Sequence, residues 1–223
     1  RPRVEYSASQ LAGCLNGPGR FSVLSYNVNY RLTETDRPRP PGEVVAAIRD
    51  ADADLVCLQE TNPEWERLLR DGLGDRYGHW AIEHDAHPAG GMMVLARRPI
   101  RKLAVARSDA GYWPALLVEA DTPAGPVHLL NLHLRPGVHR DGSISFGNLA
   151  ILGKRHHDEI VDAFAGCRLA PRPDVPLIVA GDFNEEPTGW ACRWLTDGGL
   201  RSALARFDPG APTWRWPTRA GAE

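Results

Sequence analysis

The sequence is short of cysteine, of charge excess and of long apolar runs, and each shortage narrows the choice. Its four cysteines, at positions 14, 57, 167 and 192, form no C-x-x-C pair, which argues against a zinc site. Cys57 sits inside an apolar run and reads as a core residue. A disulfide stays open, and with it the redox compartment. A net charge of -2, from 26 Lys+Arg against 28 Asp+Glu, argues against a dedicated, tight nucleic-acid binder, which carries a basic excess. An enzyme that touches a few phosphates remains compatible. The densest basic cluster, Arg97, Arg98, Arg101 and Lys102, reads either as a solvated strand end or as a phosphate track. No apolar stretch is long enough to span a membrane, so a soluble protein is expected, cytoplasmic or secreted, and a monomer. There is no internal repeat, low-complexity segment or linker. The 223 residues suffice for one large domain over 1–223, with 1–20 as an N-terminal extension.

Two terminal features complete that picture. Leu11-Ala12-Gly13-Cys14 has the spacing of a lipoprotein cleavage box, but Val4 to Gln10 is too polar for the apolar region such a signal needs. It is read as coincidence. The chain opens at Arg1 rather than Met, so removal of an upstream segment is expected.

The patterning mixes strands and helices. Strands are expected at Phe21 to Val28, Asp54 to Glu60, His79 to His84, Met92 to Ala96, Lys102 to Ala106, Ala115 to Ala120, Val127 to Leu134 and Val175 to Ala180. Leu55-Val56-Cys57-Leu58 is apolar on both faces, as in strands covered on both sides. Thr122 to Gly125 reads as a hairpin turn, and the Pro-rich Arg37 to Pro41 as a loop. Helices are expected at Glu43 to Asp50, at Pro63 to Arg70 with Pro in the first turn, and at Leu149 to Phe164. In the last, Leu149, Leu152, His156, Ile160 and Phe164 share a face. Thr188 is placed to cap a helix running to Leu195. The class is α/β (α+β) with buried sheets.

One pattern recurs: an apolar strand runs into a hydrogen-bonding or metal-competent residue. The run from Phe21 ends in Asn27, with Asn29 two further on. Leu55 to Gln59 ends in Glu60, Val127 to Leu132 in His133, and Leu177 to Gly181 in Asp182, followed by Asn184. Ligand sites in sheet proteins lie beyond strand ends. Two carboxylates, several amides and a histidine converging there suit a hard cation such as Mg²⁺, a base for water and donors for phosphate oxygens. Singly, each residue is as well explained by a turn, a solvated strand end or a satisfied structural histidine. Their joint occurrence in this order favours function.

The segments Ser25-Tyr26-Asn27-Val28-Asn29, Cys57-Leu58-Gln59-Glu60-Thr61, Asn131-Leu132-His133-Leu134 and Gly181-Asp182-Phe183-Asn184 resemble the ordered motifs of the endonuclease/exonuclease/phosphatase superfamily. Gly91 to Ile100 and Pro212-Thr213-Trp214 are smaller echoes, so the likeness spans residues 21 to 216. It implies a four-layer sandwich, two mixed β-sheets face to face with helices outside. It implies a divalent-metal-dependent hydrolase of phosphate esters, a phosphodiesterase, nuclease or phosphatase. Glu60 would hold Mg²⁺ (or Mn²⁺), with Asn29 near it. Asp182 would activate the water, Asn184 and Asn27 would position phosphate and Asp182, and His133 would donate to a phosphate oxygen. The substrate would be a nucleic acid, nucleotide, phospholipid or inositol phosphate. Arg135 opens a polar stretch running to Gly147, with His139 and Arg140, that reads either as a grip on a second phosphate or as an ordinary loop. The tryptophans 113, 190, 194, 214 and 216 read as stacking or lipid-facing residues, or more simply as packing.

The family pattern continues beyond the Thr-Trp segment with a strand carrying an Asp ligand and a loop ending in Ser-Asp-His. No Asp or His follows Trp216 here. Two catalytic residues and two core strands are thus missing from the written sequence, and an omitted or cut C-terminal tail is expected. Neither His156 nor His157, both on the long helix, is expected to substitute. The alternative reading is a catalytically impaired relative that binds a phosphorylated ligand.

Overall fold

A computed structural model describes residues 19–31, 40–107, 113–137, 146–169, 175–204 and 213, with backbone alone for 146–150. The Cys14 box, most of the Arg37 to Pro41 loop, His139, Arg140, Trp214 and Trp216 lie outside the described residues.

Eight strands and four helices are formed among the described residues: β1 (Val23–Asn27), α1 (Pro41–Ala51), β2 (Leu55–Thr61), α2 (Pro63–Leu73), β3 (His79–Glu83), β4 (Gly91–Ala96), β5 (Ile100–Ala106), β6 (Ala115–Thr122), β7 (Gly125–His133), α3 (Phe146–Gly166), β8 (Leu177–Asp182) and α4 (Trp190–Asp197). They build two four-stranded sheets, ordered β1-β2-β4-β3 and β5-β6-β7-β8. Each is mixed. β1 and β2 run parallel, as do β7 and β8, and the other pairs are antiparallel. The expected class and the sandwich of two mixed sheets are what the structure shows.

The apolar runs of β2, β4, β6 and β7 are continuous because these strands pack on both faces. Leu55 and Cys57 of β2 face the second sheet and pack with Leu116, Val118 and Leu129. The alternate residues Val56 and Leu58 pack outward with Ile48 of α1 and Trp65, Leu69 and Leu73 of α2. On the far side, Leu117, Leu130 and Leu132 meet Ile160 and Ala163 of α3 and Leu195 of α4. Burying a large aliphatic or aromatic side chain contributes about 1.5–3 kcal/mol, so the three clusters hold the four layers together. β1 and β8, each at the edge of its sheet, differ from these central runs. Every residue of β8 is only partly buried, although its sequence is as apolar.

Local signals set the ends of the elements. Pro41 and Pro63 open α1 and α2, where a missing N–H costs nothing. Asn62 caps α2, its side chain accepting from Trp65 N at 2.9 Å. The hairpin forms as expected: Thr122 pairs with Gly125, and Thr122 Oγ1 accepts from Ala124 N at 3.1 Å. The cap expected at Thr188 is not there. The N-cap of α4 is Gly189, which has no capping side chain, and Cys192 N instead donates to Glu185 Oε1 at 2.7 Å. Residues 186–189 fold into a turn closed by Gly189 N donating to Glu186 O, which brings the Glu185 carboxylate over the helix end. A Cβ on Gly189 would overlap that carboxylate. No helix among the described residues is long and apolar enough to cross a membrane.

Candidate active site

The two parallel pairs decide where the site lies. Asn27 is in register with Gln59, and His133 with Asp182, so four strands deliver their C-terminal ends to one edge of the sandwich. β1 and β8 contact each other across the sheets, closing the gap between the pairs. Gly181 makes the second pair possible. At φ 149° it sits against Leu132 O, where any Cβ would overlap.

Four side chains from these ends form one cluster. Asn27 Nδ2 donates both to Glu60 Oε1 (2.9 Å) and to Asp182 Oδ2 (3.0 Å). His133 Nε2 lies 3.9 Å from each of the same two oxygens. Asn27 Oδ1 accepts from Asn29 N at 3.0 Å, and Tyr30 N donates to Glu60 Oε2 at 3.3 Å. Asn184 N donates to Asp182 Oδ1 at 3.0 Å. Asn27, Glu60, His133 and Asp182 are therefore brought together. Asn29 and Asn184 adjoin them through backbone N–H groups, while their side chains are used locally. Asn29 Oδ1 accepts from Arg31 N, and Asn184 Nδ2 donates to Leu134 O. Arg135 is held by Glu159 of α3, which accepts from its N (2.9 Å) and its Nε (3.1 Å).

Burial sets the protonation states. It raises the Glu60 carboxyl above its ordinary range. The hydrogen bonds from Asn27 and Tyr30 N oppose this, and the neighbouring Asp182 charge adds to the rise. Burial pushes His133 down to about 4, only partly offset by Asp182, so the ring is neutral near pH 7. A lone pair on Nε2 would face two carboxylates, which favours the tautomer with the proton on Nε2. His133 Nδ1 is buried with no hydrogen-bond partner among the described residues. The arrangement thus offers a neutral donor beside two acidic groups.

Some contributors carried little sequence signal. Trp113 stacks on His133 (ring centroids 5.3 Å, 29°), His87 packs on Trp113 at 4.8 Å, and Tyr30 on His87 at 6.5 Å. This aromatic row flanks the cluster. Trp113 was visible as one tryptophan among several, and nothing in the pattern marked His87. Gln59 and Asn131 stood inside the motifs without a role. They meet in the core, Gln59 Nε2 donating to Asn131 Oδ1 at 2.7 Å. His156 lies on the buried stripe as expected, paired with Glu185 at 3.0 Å. Arg97, Arg101 and Lys102 have carboxylate partners in Asp52, Glu119 and Glu83, the pattern of solvated strand ends. Cys57, Cys167 and Cys192 are free.

No group of three or more His, Cys, Asp or Glu side chains among the described residues is arranged to hold a metal ion by itself. The donor set fits a different kind of site. Glu60 and Asp182 repel each other while sharing one amide donor, and a hard divalent cation relieves that repulsion with one or two carboxylates plus water.

The family description Endonuclease/Exonuclease/phosphatase family matches residues 24–222. The chain belongs to this family. Solved structures agree on the fold. Sphingomyelinase C from Streptomyces griseocarneus is 24% identical with a TM-score of 0.62, over 82% of this chain and 71% of that one. A Staphylococcus aureus beta toxin mutant with bound magnesium ions is 14% identical with a TM-score of 0.61, over 82% and 71%. An endonuclease/exonuclease/phosphatase from Beutenbergia cavernae is 20% identical with a TM-score of 0.61, over 82% of this chain and 55% of that one. No curated protein sequence matches. Within the family fold, the cluster occupies the strand-end edge of the sandwich.

Proposed function

We propose that this family member is a divalent-metal-dependent hydrolase of phosphate esters. The observation that carries the reading is the double hydrogen bond from Asn27 Nδ2, which joins Glu60 of one sheet to Asp182 of the other with His133 Nε2 equidistant from both. The magnesium in the beta toxin structure and the sphingomyelinase likeness support the choice of metal and reaction class.

Glu60 and Asn29 would hold the cation. When bound, it would neutralise phosphate oxygens and lower the pKa of a water. Asp182, fixed by Asn27 and by Asn184 N, would orient the attacking water and take its proton. The neutral His133 donates from Nε2 to a phosphate oxygen as charge builds on it, a contribution of the oxyanion-stabilising kind. Asn27 holds the two carboxylates apart at a fixed spacing. The aromatic row of Tyr30, His87 and Trp113 gives one wall of the site, against which the organic part of the ester lies.

The test is release of p-nitrophenol from bis-p-nitrophenyl phosphate with Mg²⁺ or Mn²⁺. Activity should vanish in excess EDTA and return with metal. Glu60→Gln and Asp182→Asn should each lower kcat by about 100-fold or more while the protein stays folded. Full turnover in EDTA would refute the reading. Saturable binding of inorganic phosphate with no turnover would favour the alternative of a ligand-binding relative.

A further inference from the structure

A second polar cluster lies directly behind the site, in contact with both loops that carry it. His156 of α3 is 1% exposed and uses both ring nitrogens: Nε2 is 2.7 Å from Arg135 O, and Nδ1 is 3.0 Å from Glu185 Oε2. Arg135 lies two residues after His133, and Glu185 one residue after Asn184. The Glu185 side chain is 7% exposed, and its other oxygen accepts from Cys192 N at the start of α4. The same two loops are also joined directly. Leu134 N donates to Asp182 O, and Asn184 Nδ2 donates to Leu134 O. Arg135 N and Nε donate to Glu159, one turn further along α3. The β7–β8 pairing is thereby extended past its strand ends by two side chains of α3 and by a backbone N–H of α4.

The contacts favour one charge state of the ring. A carbonyl oxygen can only accept, so Nε2 carries a proton. An unprotonated Nδ1 would set its lone pair against a carboxylate, so Nδ1 carries one as well. The ring is then an imidazolium, ion-paired with Glu185 inside the protein.

We propose that the His156–Glu185 ion pair is a positioning device. It clamps the loop after His133 to the loop after Asp182 and Asn184 and so fixes the spacing of the catalytic side chains. The proposal rests on the hydrolase reading of that site. The groups acting on His156 are Glu185 from the loop after β8, Glu159 on α3 and the Arg135 carbonyl from the loop after β7, while the Cys192 thiol of α4 faces Glu185. Burial, with help from Glu185, pushes the Cys192 thiol up to about 12, so it stays neutral. Burial lowers the His156 pKa, but Glu185, the Arg135 carbonyl and Glu159 outweigh it, and the net direction is upward. Deprotonation, as pH rises through that raised value, removes the donor to Glu185 and releases one side of the clamp.

Two substitutions and one spectroscopic readout test this. Glu185→Gln keeps size and an acceptor for Cys192 N but removes the charge. His156→Gln keeps a donor for Arg135 O. Each should lower kcat for bis-p-nitrophenyl phosphate by about 10- to 100-fold, as is typical for residues that orient catalytic groups, with KM little changed. In Glu185→Gln the alkaline limb of the kcat profile should move to lower pH, and the His156 imidazole midpoint followed by NMR should move with it. Wild-type kcat in a folded variant would overturn the proposal. So would a lowered kcat with the alkaline limb unmoved, which marks a merely structural role. Should both variants unfold, the wild-type titration still decides, since a His156 midpoint at or below the ordinary histidine value is incompatible with the clamp. A wild-type protein without turnover would refute the hydrolase reading and leave the NMR test of the clamp standing.

Discussion

Glu60 holds a backbone conformation that its own side chain disfavours. Its φ is 58°, and Asn29 and Asn184 beside it are also in the left-handed region at 59° and 48°. Asparagine adopts that region with little penalty, whereas a residue with a longer side chain loses about 1–2 kcal/mol there. The strain has a visible purpose. The register between β2 and β4 slips between Gln59 and Thr61, and the slip turns the Glu60 carboxylate toward Asn27 instead of along the sheet. The strain makes a test that runs opposite to the usual rule. Within a strand, Ala is ordinarily more stabilising than Gly by about 0.5–1 kcal/mol. At position 60 the order should reverse: Glu60→Gly should be more stable than Glu60→Ala by about 1 kcal/mol. Both lose the carboxylate, so the comparison isolates the backbone. Urea unfolding in EDTA measures it, and an alanine variant at least as stable as the glycine one would refute the strain.

At the scale of elements, β3 and β5 are edge strands of different sheets, held together by charge. Glu83 of β3 accepts from Lys102 of β5 (2.6 Å) and from Arg107 (2.6 Å), and Arg107 also pairs with Asp85. Burial by itself raises the Glu83 and Asp85 carboxyls. The basic partners of Glu83 outweigh it, as do the His87 N–H and Arg107 for Asp85, so both sit below their ordinary values of 4.5 and 3.8. A carboxyl depressed in the folded state contributes stability above its unfolded pKa and loses it as pH falls through the folded one. Arg107→Ala should therefore lower stability near pH 7 by about 0.5–1 kcal/mol, a modest figure because the guanidinium is half exposed. That deficit should shrink as pH falls below about 4 and as salt is raised. A deficit constant from pH 7 to pH 3 would show that packing, not charge, is what Arg107 supplies. These elements were legible in the sequence to within about three residues, because apolar runs, prolines and the Thr122 to Gly125 turn are local signals. Pairing was not legible. β2 takes β4 and not β3 as its neighbour, and no local pattern encodes that choice. The α4 cap was misread for a related reason, since Glu185 reaches Cys192 N only through the turn at 186–189.

At the scale of the molecule, two sheets that meet through apolar side chains are free to slide unless something polar fixes their offset. Aliphatic packing is tolerant of displacement, whereas a buried hydrogen bond is satisfied in one position. Gln59 of β2 and Asn131 of β7 supply one such fixture. Gln59 Nε2 donates to Asn131 Oδ1 at 2.7 Å, and Asn131 Nδ2 donates across to Leu58 O (3.0 Å) and Met93 O (3.1 Å). Both side chains are buried, and they stand one residue before Glu60 and two before His133. The strand-end residues were readable as candidates from their motifs. This pair adds a buried link to those that Asn27 and Glu83 make between the sheets, and polar residues inside apolar runs do not announce a partner in another sheet. Asn131→Leu alone should cost about 2–4 kcal/mol, because it leaves the Gln59 amide and two backbone carbonyls short of partners in an apolar core. Gln59→Leu combined with Asn131→Leu removes both side chains of the pair and should recover part of that loss, with a coupling of about 1–3 kcal/mol in a double-mutant cycle followed by urea unfolding. The recovered fold should not recover turnover. Its kcat should stay well below that of the wild type, since Glu60 and His133 would be held less firmly at one offset. Strictly additive stabilities would mean the pair is incidental, and full activity in the double variant would mean that apolar packing alone aligns the sheets.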